Sequence, residues 1–223
     1  VVAKTVTEIL EKHAKVTVTG NIRPTLELED LGKSSDEYGK MVLNVWKKRM
    51  DGINRIAPLC AEPPSISSIN YQRMLRFLGK LYDPSKSVLG IDLGSAYATF
   101  ASANANQCNL KIFPIGMGDG FEEALNRISS ENFGKWLVES VPADELKEIL
   151  WQKTLTPGSI PVGGKGLEID LASARAILDY GMNEMRQQSL LAANTFEPIF
   201  ISGSTITHAP TPQQILLTLL DGI

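Results

Sequence analysis

The stretch between Val88 and Ile115 constrains the fold of this chain more than any other. Three strand-like runs follow one another there, over residues 88–93, 97–103 and 110–115. The connections between them are short and rich in Gly, Ser, Ala and Asn, and connections of that kind join antiparallel neighbours. The sequence therefore predicts an antiparallel three-strand meander.

Helical patterns and two isolated strand-like runs surround the meander. Residues 16–20 and 198–202 are predicted to be short strands, and Pro and Gly mark residues 156–166 as a loop. A chain in which strands alternate with helices predicts an α/β fold, here with a mixed sheet that begins antiparallel. Apolar side chains recur at helical spacing over residues 2–15, 38–51, 69–81, 121–129, 131–138, 143–153, 172–194 and 212–220.

The composition is that of one or two ordinary soluble domains. Of the 223 residues, 43% are hydrophobic and 21% are charged, and no apolar run approaches the roughly 20 residues that a membrane span needs. No secretory signal is visible and the chain has two cysteines, so a cytoplasmic setting is expected. Residues 1–87 carry 14 Lys/Arg and 10 Asp/Glu, whereas residues 88–223 carry 8 and 15. The acidic second part would repel phosphate backbones, so nucleic acid is not expected as a partner. Without a spanning run, a membrane is not expected either.

The first stretch that could carry chemistry is Asp92-x-Gly94, which the small residues Ser95 and Ala96 follow. An apolar strand that ends in this way makes a tight hairpin. Its amide groups can approach a phosphate closely, because glycine leaves no side chain in the way. Asp92 could hold a hydrated magnesium ion, since hard divalent cations prefer carboxylate and water oxygens. Asp and Gly are also the usual residues of a plain turn, so the pattern fits both a phosphate-binding hairpin and an ordinary turn.

The second such stretch is residues 200–204, where a strand runs into Gly203 and Ser204. A strand that opens into Gly-Ser lets a flat adenine or ribose lie against the backbone. Further along, His208 could contact a nucleotide base or face solvent, and Thr211 could cap the next helix. Short Gly/Ser connections are also common in α/β folds, so a nucleoside loop and a plain connection both fit.

Four short stretches, in this order along the chain, carry a resemblance to a known family. They are Val18-Thr19-Gly20-Asn21-Ile22-Arg23-Pro24, the helix and strand between Met74 and Gly94, Ile115-Gly116-Met117-Gly118, and Ile201-Ser202-Gly203-Ser204 through His208-Ala209-Pro210. Most of residues 16–223 thereby resembles the second half of an actin-like ATPase, a superfamily with a ribonuclease H-like fold that includes actin, the chaperone ATPases and the sugar kinases. Within it, the chain most resembles the MutL family of accessory proteins for adenosylcobalamin-dependent glutamate mutase, which is unrelated to the mismatch-repair MutL.

The resemblance implies two lobes, a nucleotide site and a partner. Residues 1–65 would be the end of the first lobe with connecting helices, residues 66–223 would be the second lobe, and the family's first phosphate loop should lie upstream. The lobes would close on nucleotide, and ATP hydrolysis would act on a cobalamin-dependent mutase. The resemblance assigns Asp92 to Mg²⁺, Gly94, Ser95 and Ala96 to the phosphates of ATP, and Gly203 and Ser204 to the nucleoside.

Two positions depart from the family pattern. Members often carry a second glycine after Asp-x-Gly and a second aspartate seven residues after the first, whereas this chain has Ser95 and Thr99 there. A degenerate member that binds partners or supports assembly without turnover is therefore a second hypothesis. A small-molecule kinase on the same fold is a third, and it would need a catalytic carboxylate in the first lobe.

Other motifs indicate chemistry more weakly. Gly116-x-Gly118-x-Gly120 lies between a predicted strand and a predicted helix, but Phe121 occupies the third-glycine position of a dinucleotide fingerprint. Residues 161–167 hold a lysine among glycines without a following Ser or Thr, so a surface loop is expected there rather than a phosphate loop. The two histidines and two cysteines do not have the spacing of zinc ligands.

Overall fold

The structure, a computed structural model, describes residues 2–23, 25, 32–62, 64–83 and 85–223, and over these residues the protein is of the α/β class. The chain divides into two units, Val1–Tyr71 and Gln72–Ile223. The lobe boundary predicted between residues 65 and 66 stays a prediction. Over the described residues, no helix has the length and apolar character that crossing a bilayer requires.

All the regular secondary structure described in the first unit is helical. Helix α1 spans Val2–Leu10, α2 spans Gly32–Arg49 and α3 spans Asp51–Ile56, and a 3-10 turn follows at Ala57–Leu59. The strand predicted over residues 16–20 is wrong, because β-branched side chains form a strand only where a neighbouring strand takes up the backbone hydrogen bonds. No described strand lies beside this segment. Pro24, the last residue of the first resembling stretch, lies outside the described residues.

The second unit contains a four-stranded mixed sheet. Its strands are β1 (Ser87–Leu93), β2 (Ala98–Ala103), β3 (Cys108–Phe113) and β4 (Phe196–Ser202), and they lie in the order β3-β2-β1-β4. Strand β1 pairs antiparallel with β2, β2 pairs antiparallel with β3, and β1 pairs parallel with β4. The predicted meander and the mixed sheet are therefore confirmed.

The predicted helices all have counterparts in the structure. The remaining helices are α4 (Ser67–Leu81), α5 (Phe121–Arg127), α6 (Ser130–Gly134), α7 (Ala143–Leu155), α8 (Gly163–Gln187), α9 (Ser204–Thr207) and α10 (Pro212–Gly222). The longest, α8, differs most from its prediction, because it begins inside the stretch predicted as a loop and ends seven residues before Asn194. Its first residues are glycines with weak helix propensity, but Ile169 and the residues after it pack on the core and stabilise the helix.

A left-handed serine ends α8. Ser189 has a φ of 54°. Its N–H donates to the carbonyl oxygen of Arg186 at 3.0 Å, and the N–H of Leu190 donates to that of Met185 at 2.9 Å. This pair of bonds is the Schellman motif, which usually has glycine at the left-handed position. The sequence pattern missed the end of the helix because a serine stands there instead.

The two faces of the sheet have different surroundings. Ile91 and Leu93 point to one face, where α8 covers the sheet so closely that a Cβ at Gly181 would lie 2.3 Å from the ring of Phe100. The end of α4 packs against β2 on the opposite face. Asp92 alternates with Ile91 and Leu93 and so lies on that opposite face, away from the main apolar core.

Candidate functional site

Three polar residues lie side by side across the sheet near the carboxyl end of β1. Thr99 of β2 and Ser202 of β4 are the register partners of Asp92. The hydroxyl of Ser202 donates a 2.6 Å hydrogen bond to Oδ1 of Asp92. Within the described part of the chain, Oδ2 accepts no hydrogen bond. The row therefore presents a carboxylate that is fixed through one oxygen and available through the other.

The hairpin, residues 94–97, joins β1 to β2 beside this row. The N–H of Gly94 donates to the carbonyl oxygen of Tyr97 at 3.0 Å, so that amide is already used inside the turn. The N–H groups of Ser95 and Ala96 bond to no residue that the structure describes. Ser95 is exposed and Ala96 is half-buried. Of the three residues predicted to contact phosphate, these two therefore have amides that no described residue occupies and that could bond an anion.

The glycine loop, residues 116–120, packs directly against the hairpin. A Cβ at Gly116 would lie 2.2 Å from the carbonyl oxygen of Ser95, and one at Gly120 would lie 2.2 Å from that of Ala96. Three amides of the loop donate 2.9 Å hydrogen bonds to hairpin carbonyl oxygens. The loop therefore requires glycines because its backbone packs closely on the hairpin, and a dinucleotide site is not needed to explain them. Sequence reasoning missed this contact, although a glycine at every second position was a signal of close backbone approach.

The hydroxyl of Ser95 is also tied to the glycine loop. It donates to Oδ2 of Asp119 at 3.1 Å and accepts from the N–H of Asp119 at 3.1 Å. Sequence reasoning did not single out Asp119, which lies exposed beside the hairpin. Because Asp92 and Asp119 both carry negative charge, a phosphate group here would be more stable together with a cation than alone.

The end of β4 reaches the same edge of the sheet. Gly203 has a φ of +114°, and a Cβ there would lie 2.1 Å from the carbonyl oxygen of Leu93, the last residue of β1. Ser204 follows as the exposed first residue of α9. The structure therefore brings Gly203 and Ser204 to the edge where Asp92 and the hairpin lie.

Two other predicted residues have local roles. His208 is exposed, and its Nδ1 lies 3.2 Å from the carbonyl oxygen of Ser204 within the same turn. Thr211 caps α10 as predicted: its Oγ1 accepts from the N–H of Gln214 at 3.3 Å, and the Gln214 side chain bonds back to the N–H of Thr211 at 3.2 Å.

The polar row fits a magnesium ion only in part. It supplies one carboxylate, and over the described residues no group of three or more His, Cys, Asp and Glu side chains is arranged to hold a metal. Mg²⁺ commonly binds through one or two carboxylates, with water and substrate phosphate oxygens completing its shell. Asp92 therefore fits as a single ligand, or as the acceptor for a bound water, when the ion arrives with a phosphate.

Comparison with known proteins leaves the family open. No family model matches the chain, and no curated protein matches it significantly. The actin-like resemblance, the nucleotide and the mutase partner therefore stay predictions.

Proposed function

We propose that this protein binds ATP together with Mg²⁺ at the edge where β1 and β4 end. The observation that carries the proposal is the fixed carboxylate of Asp92 beside a hairpin with two amides that bond to none of the described residues. Close backbone packing at Gly203 and along the glycine loop holds this edge rigid. A rigid edge lowers the entropy cost of fixing a ligand, because little has to be ordered on binding.

Different residues of this edge would contact different parts of the Mg²⁺-nucleotide. The amides of Ser95 and Ala96 would take phosphate oxygens, and Asp92 would bind the cation or its water. The nucleoside would lie near Ser204 and the backbone of Gly203, where the close approach of Leu93 to Gly203 fixes the turn after β4. The bound Mg²⁺ would offset the charge of the phosphates and of the two nearby carboxylates.

The larger role we propose is that of an actin-like accessory protein that supports or reactivates an adenosylcobalamin-dependent mutase. The α/β class, the meander followed by a parallel β4, and the meeting of both loops at one edge support it. In this role, nucleotide binding would change how the second unit meets its partner.

Calorimetric titration of ATP with Mg²⁺ into the complete protein tests the binding site. Asp92→Ala should weaken binding at least about tenfold, which corresponds to about 1.4 kcal/mol, while the circular dichroism spectrum stays that of the wild type. Asp144→Ala, which removes an exposed carboxylate near the start of α7, is the matched control. Equal affinity for ATP in the wild type and in Asp92→Ala would remove Asp92 from the site.

A non-hydrolysing binding or assembly module is the second candidate. The observation that favours it is Thr99, which is 9% exposed and lies beside Asp92 where a second carboxylate would help to hold the metal. Such a module binds nucleotide but releases no phosphate. Measuring phosphate release from the complete protein, alone and with a cobalamin-dependent mutase, distinguishes the two candidates.

A further inference from the structure

A cleft of about 490 Å³ lies in the second unit between the segment after α6 and the first two turns of α8. Its apolar lining includes Leu137, Val141 and Ile169, which are half-buried and pack against the core. These walls are therefore held by the core of the unit. None of the residues of the cleft belongs to the site at the end of β1.

Acidic side chains dominate the charge of the cleft. Glu139, Glu145 and Glu168 line it together with a single cationic side chain, Lys165. Oε1 of Glu168 accepts a 2.5 Å hydrogen bond from the N–H of Val138, so this carboxylate is fixed at the wall. The surrounding part of the chain, residues 88–223, is acidic as well. The local and the long-range fields therefore both attract cationic groups.

The same hydrogen bond holds an apolar side chain out in solvent. Val138 is 90% exposed, although its neighbour Leu137 is half-buried. Because the backbone of Val138 is bonded to Glu168, the segment is fixed with this side chain outward. A fixed, exposed valine beside an apolar cleft offers area that a partner can bury, at about 25 cal/mol for each Å².

We propose that this cleft binds a segment of another protein that carries apolar side chains flanked by Lys or Arg. The apolar walls and Val138 would take the apolar side chains, and Glu139 and Glu145 would pair with the cations at the rim. This combination of an apolar centre and a charged rim is that of protein interfaces in general. The proposal does not depend on nucleotide binding.

Fluorescence anisotropy of a labelled 12-residue peptide of alternating Lys and Leu tests the proposal on the complete protein. The peptide should bind, and raising the salt from 50 to 300 mM should weaken binding severalfold. Glu145→Lys should raise the Kd about tenfold. Glu148→Lys on the same helix changes the net charge equally but lies outside the cleft, and it should change the Kd less than twofold.

A second pair of variants tests the apolar part. Val138→Ser should raise the Kd about threefold to tenfold, whereas Leu155→Ser, which removes an apolar side chain that is 80% exposed elsewhere, should leave it unchanged. Equal effects of Glu145→Lys and Glu148→Lys would mean that the Kd depends only on the net charge of the protein. Equal effects of Val138→Ser and Leu155→Ser would mean that it depends on exposed apolar area in general. Either result would overturn the proposal.

Two further outcomes would also overturn it. A peptide with Glu in place of Lys that binds as tightly would exclude charge complementarity. Sedimentation velocity that shows a dimer disrupted by Val138→Ser but not by Leu155→Ser would mean that a second copy of this chain occupies the cleft.

Discussion

The glycines of the second unit fall into two groups that look alike in sequence and differ in what surrounds them. At the close glycines, Gly116, Gly118, Gly120 and Gly203, an added Cβ would lie 2.1–2.2 Å from an atom of β1 or of the hairpin. At the open glycines, Gly158, Gly163 and Gly164, no described atom lies within 4 Å of an added Cβ, apart from the adjoining residues and the backbone of the helix itself. The close glycines bring two backbone segments together, while the open ones leave space around the start of α8.

The comparison teaches that a glycine is required for one of two separable reasons. A neighbour can occupy the place of the side chain, or the backbone can adopt a left-handed conformation that other residues resist. Gly116 has the first reason, Gly163 with its φ of +81° has the second, and Gly203 has both. Substituting each by alanine measures the two reasons separately.

Gly203→Ala should produce the largest loss of stability. The added methyl group meets the carbonyl oxygen of Leu93, and the φ of +114° is unfavourable for alanine. Overpacking and backbone strain together should lower the free energy of unfolding of the second unit by about 4 kcal/mol. Urea denaturation followed by circular dichroism measures it.

Gly163→Ala is the control that has the strain without the clash. A left-handed conformation should cost alanine about 1 kcal/mol, and the space around the added methyl group is open. If Gly203→Ala and Gly163→Ala lowered the free energy of unfolding equally, the close approach to Leu93 would contribute nothing to the cost of Gly203→Ala. The distinction between close and open glycines would then be wrong.

Gly116→Ala should have the next largest effect. Its φ is ordinary, so the cost comes from the clash of the methyl group with the carbonyl oxygen of Ser95. We expect a loss of about 2–3 kcal/mol, and weaker nucleotide binding because the hairpin must shift. Gly164→Ala, in the first turn of α8 with open space around it, should gain about 0.5 kcal/mol instead. A gain of stability in both variants would show that the glycine loop can move away from the hairpin.

The same comparison explains how much of the molecule the sequence predicts. Short turns and repeated strand-like runs determined the meander over residues 88–115, because local pairing needs no distant information. The strand predicted over residues 16–20 was wrong because pairing depends on a neighbour that the local sequence does not reveal. The alternating glycines of residues 116–120 were a signal of close backbone approach, but they did not identify the hairpin as its partner, since the hairpin comes from elsewhere in the chain.

The candidate site shows the same division. The two loop motifs could be predicted to lie at strand ends, and the structure puts them at one edge. Neither the Asp92 to Ser202 hydrogen bond nor the Ser95 to Asp119 contact could be predicted, because each joins residues far apart in the sequence. Asp119 lies within Gly116-x-Gly118-x-Gly120, but at a position that the motif leaves unspecified.

Ser95→Ala should have a smaller effect than Gly203→Ala and Gly116→Ala. It removes the two hydrogen bonds with Asp119, while the backbone contacts of the hairpin remain. Because the pair is exposed, we expect a loss of about 1 kcal/mol in the free energy of unfolding. A double-mutant cycle with Asp119→Ala measures the coupling. Additive losses would mean that the contact does not link the hairpin to the glycine loop.

The smallest effect should come from the opposite end of β1 and β4, where an ion pair joins the strands instead of close packing. The side chain of Lys86 donates to the carboxylate of Glu197. This hydrogen bond and the charge of Glu197 raise the pKa of Lys86 above its ordinary value of 10.5. A cation whose pKa is raised on folding contributes stability that is fully present below pH 10.5 and is lost as the pH rises through the folded pKa.

Urea midpoints measured at pH 9 and pH 11.5 separate the two ends of the sheet. Other groups also titrate in this range, so the wild type is compared with Lys86→Gln at each pH. The two proteins should differ slightly at pH 9, and the difference should be smaller at pH 11.5, because only a protonated Lys86 strengthens the pair. The difference between the wild type and Gly116→Ala should stay constant, since backbone packing carries no proton. A Lys86→Gln difference as large at pH 11.5 as at pH 9 would mean that the lysine acts through its alkyl chain, and the contrast between a charged end and a packed end would be lost.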